Sequence, residues 1–108
     1  MTWLGTDGLP LPDAFFHDPG AHFLGWRIAG TAAPDEPARA IYVAYNGATT
    51  TVAATLPAPT AGAAWYVVAD TGAWFEDHSN AYAPGAEYRM NGRRYDVGAR
   101  SLAIFIER

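Results

Sequence analysis

The residues of this chain with the most obvious chemical capacity are three histidines, His17, His22 and His78, and the carboxylates around them. Asp13 and Asp18 flank His17, and Asp77 precedes His78. Imidazole and carboxylate together can hold a metal or move a proton. Neither use has a motif here. There is no H-E-x-x-H, the spacings match no standard zinc pattern, and the chain has no Cys to supply a thiolate or a disulfide. The run Glu76-Asp77-His78-Ser79 holds the residue types of a nucleophilic triad. Neighbours on one loop rarely converge on one reacting atom, and no Gly-x-Ser-x-Gly elbow is present. A pair of carboxylates flanking a scissile bond has no recognisable frame either. No Gly-rich phosphate loop opens a helix. These residues therefore read as strand-end or loop histidines and a solvated acidic loop. No catalytic residue, metal site or cofactor is expected.

Aromatic side chains are the remaining candidates. Trp and Tyr offer an apolar face with a polar tip and can stack on sugar rings. Trp3, Trp74, Phe75 and Tyr82 lie near expected turns, where they are candidate contacts for carbohydrate or for a domain interface. Trp26 and Trp65 lie inside expected strands and read as core.

The elements that must position these residues are strands. Ala40 to Gly47 and Thr49 to Pro57 are β-rich runs on either side of Asn46-Gly47, the sequence signature of a hairpin. A third run, Ala63 to Thr71, makes the centre of the chain look like consecutive antiparallel strands. Trp3 and Leu4 start a short strand that turns at Thr6-Asp-Gly8. The segment from Pro10 to Ala21 is a loop with one helical turn near Asp13 to His17. In His22 to Ile28, the face bearing Leu24, Trp26 and Ile28 is expected to point into the core, opposite Phe23, Gly25 and Arg27. Ala29 to Ala38 is an exposed connection. Ile41, Val43 and Tyr45 alternate with Tyr42 and Ala44, so this strand is apolar on both faces and belongs in the middle of a sheet. Trp65, Val67 and Ala69 alternate with Tyr66, Val68 and Asp70. Gly72 to Ala81 is a polar loop. Glu87 to Met90 is expected to turn at Asn91-Gly92 into Arg94 to Val97 as a second hairpin. Ser101 to Glu107 closes the chain as a buried strand.

About seven or eight short strands with turns every ~8–12 residues, and no sustained helical period, predict an all-β fold. The expected architecture is an antiparallel two-sheet β-sandwich, Greek-key-like, forming one domain over residues 1–108. A (β/α)₈ barrel needs roughly 200 residues or more and does not fit. The net charge of −4 argues against nucleic acid or an anionic membrane as partner. No apolar run approaches the ~20 residues of a membrane-spanning helix. The N-terminus lacks the basic and apolar regions of a signal peptide. A cytoplasmic location is expected. All seven basic residues are Arg, a bias that reflects genome composition rather than a binding site.

Three stretches carry a resemblance. Ile41-Tyr-Val-Ala-Tyr-Asn-Gly47, Ala54-Thr-Leu-Pro-Ala-Pro59 and Trp65-Tyr-Val-Val-Ala-Asp-Thr71 occur in that order, followed by Trp74, Ala83-Pro-Gly85 and Ser101-Leu-Ala-Ile-Phe-Ile106. This succession resembles the C-terminal domain of isoamylase-type debranching enzymes, within the α-amylase superfamily of glycoside hydrolases. The likeness is most distinctive from about residue 38 onward, where order and spacing agree. It implies a sandwich attached to a catalytic (β/α)₈ barrel that hydrolyses α-1,6 branch points of glycogen or a related α-glucan. The family's nucleophile Asp and acid/base Glu lie on that barrel. Asp70 and Glu76 are not their counterparts. Some secreted relatives carry Cys where this chain has Gly72 and Gly98, a difference that fits a cytoplasmic glycogen enzyme.

The resemblance implies a non-catalytic accessory domain that stabilises the barrel of a glycogen-debranching enzyme. An exposed apolar patch on one sandwich face would mark that interface. The alternative is a stand-alone α-glucan-binding module, which would display coplanar Trp or Tyr rings.

Overall fold

A computed structural model describes residues 2–11, 22–30, 40–72 and 88–108. The helical turn expected at Asp13 to His17 lies outside these residues, as does most of the loop from Gly72 to Ala81. The strands are β1 (Thr2–Leu4), β2 (Phe23–Ala29), β3 (Ala40–Asn46), β4 (Val52–Thr55), β5 (Trp65–Asp70), β6 (Tyr88–Arg89), β7 (Arg94–Val97) and β8 (Ser101–Glu107). They form two antiparallel sheets. One runs β1-β2-β3-β8-β5-β6 and the other pairs β4 with β7. Beta-branched and aromatic residues dominate these segments, which suits a pleated, half-buried surface.

The core lies between the sheets. Tyr42, Trp65, Val67 and Phe105 from the larger sheet meet Ala54, Leu56 and Val97 from the smaller segment pair. Each large apolar side chain buried here contributes about 1.5–3 kcal/mol. Tyr95 of β7 places its ring edge-on to Phe105 at 5.0 Å between centroids. The Tyr95 hydroxyl also donates to Asp70 Oδ2, so one side chain joins the sheets by packing and by a hydrogen bond.

Neither Asn-Gly pair makes the expected hairpin. β3 pairs with β2 and β8, whereas β4 pairs, among the described strands, with β7, so Asn46-Gly47 begins a crossing from one sheet to the other. Asn46 is fully buried. Its Nδ2 donates to the carbonyls of Thr50 (2.9 Å), Val97 (3.1 Å) and Gly98 (3.1 Å), and its Oδ1 accepts from Ala48 N (2.9 Å). Three carbonyls around one nitrogen leave only that orientation of the amide. The side chain is thus a bracket between the end of β3, the crossing and the end of β7. Asn91-Gly92 likewise leads from β6 in the large sheet to β7 in the small one.

Two other faces differ from the alternation. In β2, Phe23 and Gly25 are buried and Ile28 is exposed, so the inner face is the one opposite to the expectation from Leu24, Trp26 and Ile28. Gly25 explains why. A Cβ there would lie 2.5 Å from the Tyr42 hydroxyl, so the missing side chain is the space that the Tyr42 ring fills. In β5 the pairing with β8 slips between Val67 and Ala69. Val68 is the extra residue of a β-bulge, and parity changes after it. Asp70 therefore joins Trp65 and Val67 on the inner face.

Two substitutions test this core. Asn46→Asp turns a donor into an acceptor against three carbonyls and is expected to cost about 2–4 kcal/mol, more than Asn46→Ala, in urea unfolding. Among the described residues the buried Tyr42 hydroxyl has no hydrogen-bond partner, and burial pushes its pKa from 10.0 up to about 12. Stability linked to it is complete below pH 10 and is lost as pH rises through 12. Tyr42→Phe is expected to match or exceed the parent by up to about 1 kcal/mol at neutral pH, and to flatten the alkaline limb of stability.

Candidate functional site

The surface that asks for a partner is the outer face of the six-stranded sheet. Its register can be followed across the strands, because directly paired residues share a face. Ile28, Ile41, Ile106 and Tyr66 form one cross-strand row. Trp3, Trp26, Val43, Ile104 and Ala69 form the next. Leu24, Tyr45 and Leu102 form the third. The first row continues from Tyr66 to Arg89 of β6, so a charged side chain borders the apolar residues at that edge. The small sheet packs on the opposite face, through Ala54, Leu56 and Val97.

Four apolar side chains in these rows are well exposed, while Val43 is buried and the other apolar ones are half-buried. Trp3 is 39% exposed, Ile28 42%, Ile41 41% and Tyr45 45%. Ile28 and Ile41 sit directly opposite each other, so they form one patch rather than scattered residues. A single exposed apolar residue carries no message, but neighbouring ones across several strands mark an interaction surface. Trp3 and Trp26 pack with centroids 5.8 Å apart and planes inclined by 56°. That pair makes a ridge and not a flat platform.

Of the expected aromatic contacts, Trp3 belongs to this face, whereas Trp74, Phe75 and Tyr82 lie outside the described residues. Trp65 is core, at 1% exposure, but Trp26 is half-buried on the outer face and corrects the expectation that both are interior. Leu24, Ile28, Ile41 and Tyr45 were not among the candidates. Their signal was the apolar character of both faces of β3 and β8, which calls for a cover on each side.

The buried carboxylates among the described residues are engaged in structural bonds. Asp13, His17, Asp18 and Glu76 to Ser79 lie outside the described residues, and His22 is exposed. Among the described residues, no three His, Asp or Glu side chains come together in a metal-binding group. Asp70 is buried with both oxygens engaged, Oδ1 by Gly72 N at 2.9 Å and Oδ2 by the Tyr95 hydroxyl. Glu107 is buried too. Arg27 Nη2 donates to its Oε1 at 3.0 Å and Thr60 N to its Oε2 at 2.5 Å. Burial would push the Glu107 carboxyl up, but the Thr60 N–H and hydroxyl and the Arg27 guanidinium outweigh it and hold the group below its ordinary 4.5. Both acids are used to tie segments together. Gly72 and Gly98 face each other, with the Cβ position of Gly98 3.6 Å from Gly72 Cα.

The chain is similar to known proteins over its whole length. The family model described as isoamylase, C-terminal, matches residues 1–106. An isoamylase of Flavobacterium sp is 40% identical over 108 residues, covering 98% of this chain. An isoamylase of Pseudomonas amyloderamosa is 33% identical over 110 residues, covering the whole chain. In both cases the matched part is only 14% of the relative's length.

The Glu107 arrangement has a signed pH dependence. Its stabilisation is present above pH 4.5 and is lost as pH falls through the lower folded-state value. Glu107→Gln is expected to lose about 1–3 kcal/mol at neutral pH, with the gap to the parent narrowing below pH 4.5. Urea unfolding across that range measures both features.

Proposed function

The chain belongs to the isoamylase C-terminal domain family, and on that premise we propose that it is a non-catalytic accessory domain of a debranching glycoside hydrolase. Its role is mechanical. The outer face of the six-stranded sheet is the docking surface for the catalytic (β/α)₈ barrel of the same enzyme, and covering it stabilises that barrel. The parent reaction is hydrolysis of α-1,6-glucosidic branch points in glycogen or a related α-glucan, carried out by residues of the barrel.

One observation supports this reading above the others. The exposed apolar side chains Trp3, Ile28, Ile41 and Tyr45 share one sheet face, in a chain that spans 14% of the relatives it matches. A sheet that is apolar on both sides needs a layer on each. The small sheet supplies one layer. A (β/α)₈ barrel presents an outer ring of helices, and helices on a sheet face are the common second layer. The alternative, a module that binds α-glucan by itself, asks for coplanar rings. The 56° inclination of Trp3 to Trp26 does not favour it.

The test has two arms. The 108-residue chain should release no reducing ends from glycogen or amylopectin and give no binding heat with either polymer or with maltooligosaccharides. Saccharide binding heat would move the assignment to the glucan-binding module. Ile41→Glu should change the stability of this chain by no more than about 0.5 kcal/mol, because the position is already exposed. The same change in a chain that includes the barrel should lower its unfolding temperature by several degrees. An unchanged barrel would remove the outer face as the docking surface.

A further inference from the structure

The chain contains Asn-Gly twice, and the fold treats the two copies in opposite ways. We propose that Asn91-Gly92 is a site of spontaneous deamidation and backbone isomerisation in the folded domain, and that Asn46-Gly47 is protected from the same reaction.

The chemistry needs no enzyme. Solvent base removes the proton from Gly92 N, and that nitrogen attacks Cγ of Asn91. An N–Cγ bond forms, the Cγ–Nδ2 bond breaks, and Nδ2 leaves as ammonia after taking a proton from water. The product is a five-membered succinimide. Water then adds to one of its two carbonyls. Opening at Cγ gives an ordinary aspartyl residue. Opening at the backbone carbonyl gives an isoaspartyl residue, whose main chain runs through the side-chain carbons. The net change is one water consumed and one ammonia released, with no oxidant or reductant. A glycine on the C-terminal side favours the attack, because no side chain shields its nitrogen.

The reaction requires a free amide, a free attacking nitrogen and room to close the ring. At Asn91-Gly92 all three are present. Both residues are exposed. Among the described residues, neither the Asn91 side chain nor Gly92 N has a hydrogen-bond partner. Gly92 has φ +117° and nothing within 4 Å of where a Cβ would stand. At Asn46-Gly47 none is present. The Asn46 amide is buried and held by the carbonyls of Thr50, Val97 and Gly98. Gly47 N donates to His22 O at 2.8 Å, so the nucleophile is tied to the neighbouring segment. Reaction at residue 46 must pass through opening of the structure, a state populated on the order of a thousandth or less.

The consequence for the domain is directional. The reactive pair lies in the exposed link from β6 to β7, where an added acid is solvated. The protected pair holds the bracket between the sheets, where an acid would face three carbonyls.

The experiment is timed peptide mapping of the purified chain in mildly alkaline buffer, with fragmentation that separates aspartyl from isoaspartyl. In native buffer, the peptide containing residue 91 should gain one mass unit and show both products. The peptide containing residue 46 should react more slowly by a factor on the order of a hundred or more. In concentrated urea the two should react at similar rates, which shows that the difference comes from the fold. Asn91→Gln should abolish the native-state signal. Equal rates at 46 and 91 in native buffer, or no reaction at 91, would overturn the proposal.

Discussion

The amide of Asn46 is the point on which the two-sheet arrangement turns. A sandwich whose strands alternate between sheets needs something to fix where the chain leaves one layer and enters the other. Here a single buried side chain binds carbonyls from residue 50 on one side and residues 97 and 98 on the other. The bond to Val97 is buried, and leaving that carbonyl without a partner would cost about as much as a lost hydrogen bond. The bracket sets the spacing between β3 and β7. That spacing in turn lets Tyr95 reach both Phe105 and Asp70. The opposite end of the sandwich is closed by a second polar tie, in which Glu107 joins Arg27 of β2 to Thr60 in the connection before β5.

What the sequence made legible was the strands, and what it hid was their partners. Most runs of β-branched and aromatic residues became strands close to their expected limits, because period and composition are local properties, although Thr49 to Pro57 is a strand only over Val52–Thr55. Pairing is not local. Asn46-Gly47 satisfies the composition of a hairpin turn, yet the acceptors that decide its role lie about fifty residues further along. The inner face of β2 was hidden for a similar reason. Leu24, Trp26 and Ile28 outweigh Phe23, Gly25 and Arg27 in hydrophobicity, but Gly25 is where the Tyr42 ring fits and Arg27 is where Glu107 finds its charge. The bulge at Val68 carries no composition signal, and it alone brings Asp70 inward.

The candidate surface follows from those same hidden features. Once β2 is turned so that Gly25 faces in, Trp26 and Ile28 must face out. With Ile41 and Tyr45 they complete an apolar face instead of a core. Trp3 was legible because an aromatic near a turn stands out. The isoleucines were not, since each looks like an ordinary core residue until the sheet's other side is known to be filled. Both described inner acids, Asp70 and Glu107, are buried in bonds that tie segments of the chain together.

β8 is the last strand in chain order, yet it lies in the middle of the large sheet, between β3 and β5. During translation, β1 to β3 can zip together as they emerge, but β5 has no place to join them until Ser101 to Glu107 has left the ribosome. Until then, β3 and β5 each show an open edge to the nascent polypeptides around them. The rate at which the final strand inserts therefore governs how long the unfinished domain is exposed to misassembly and to chaperones.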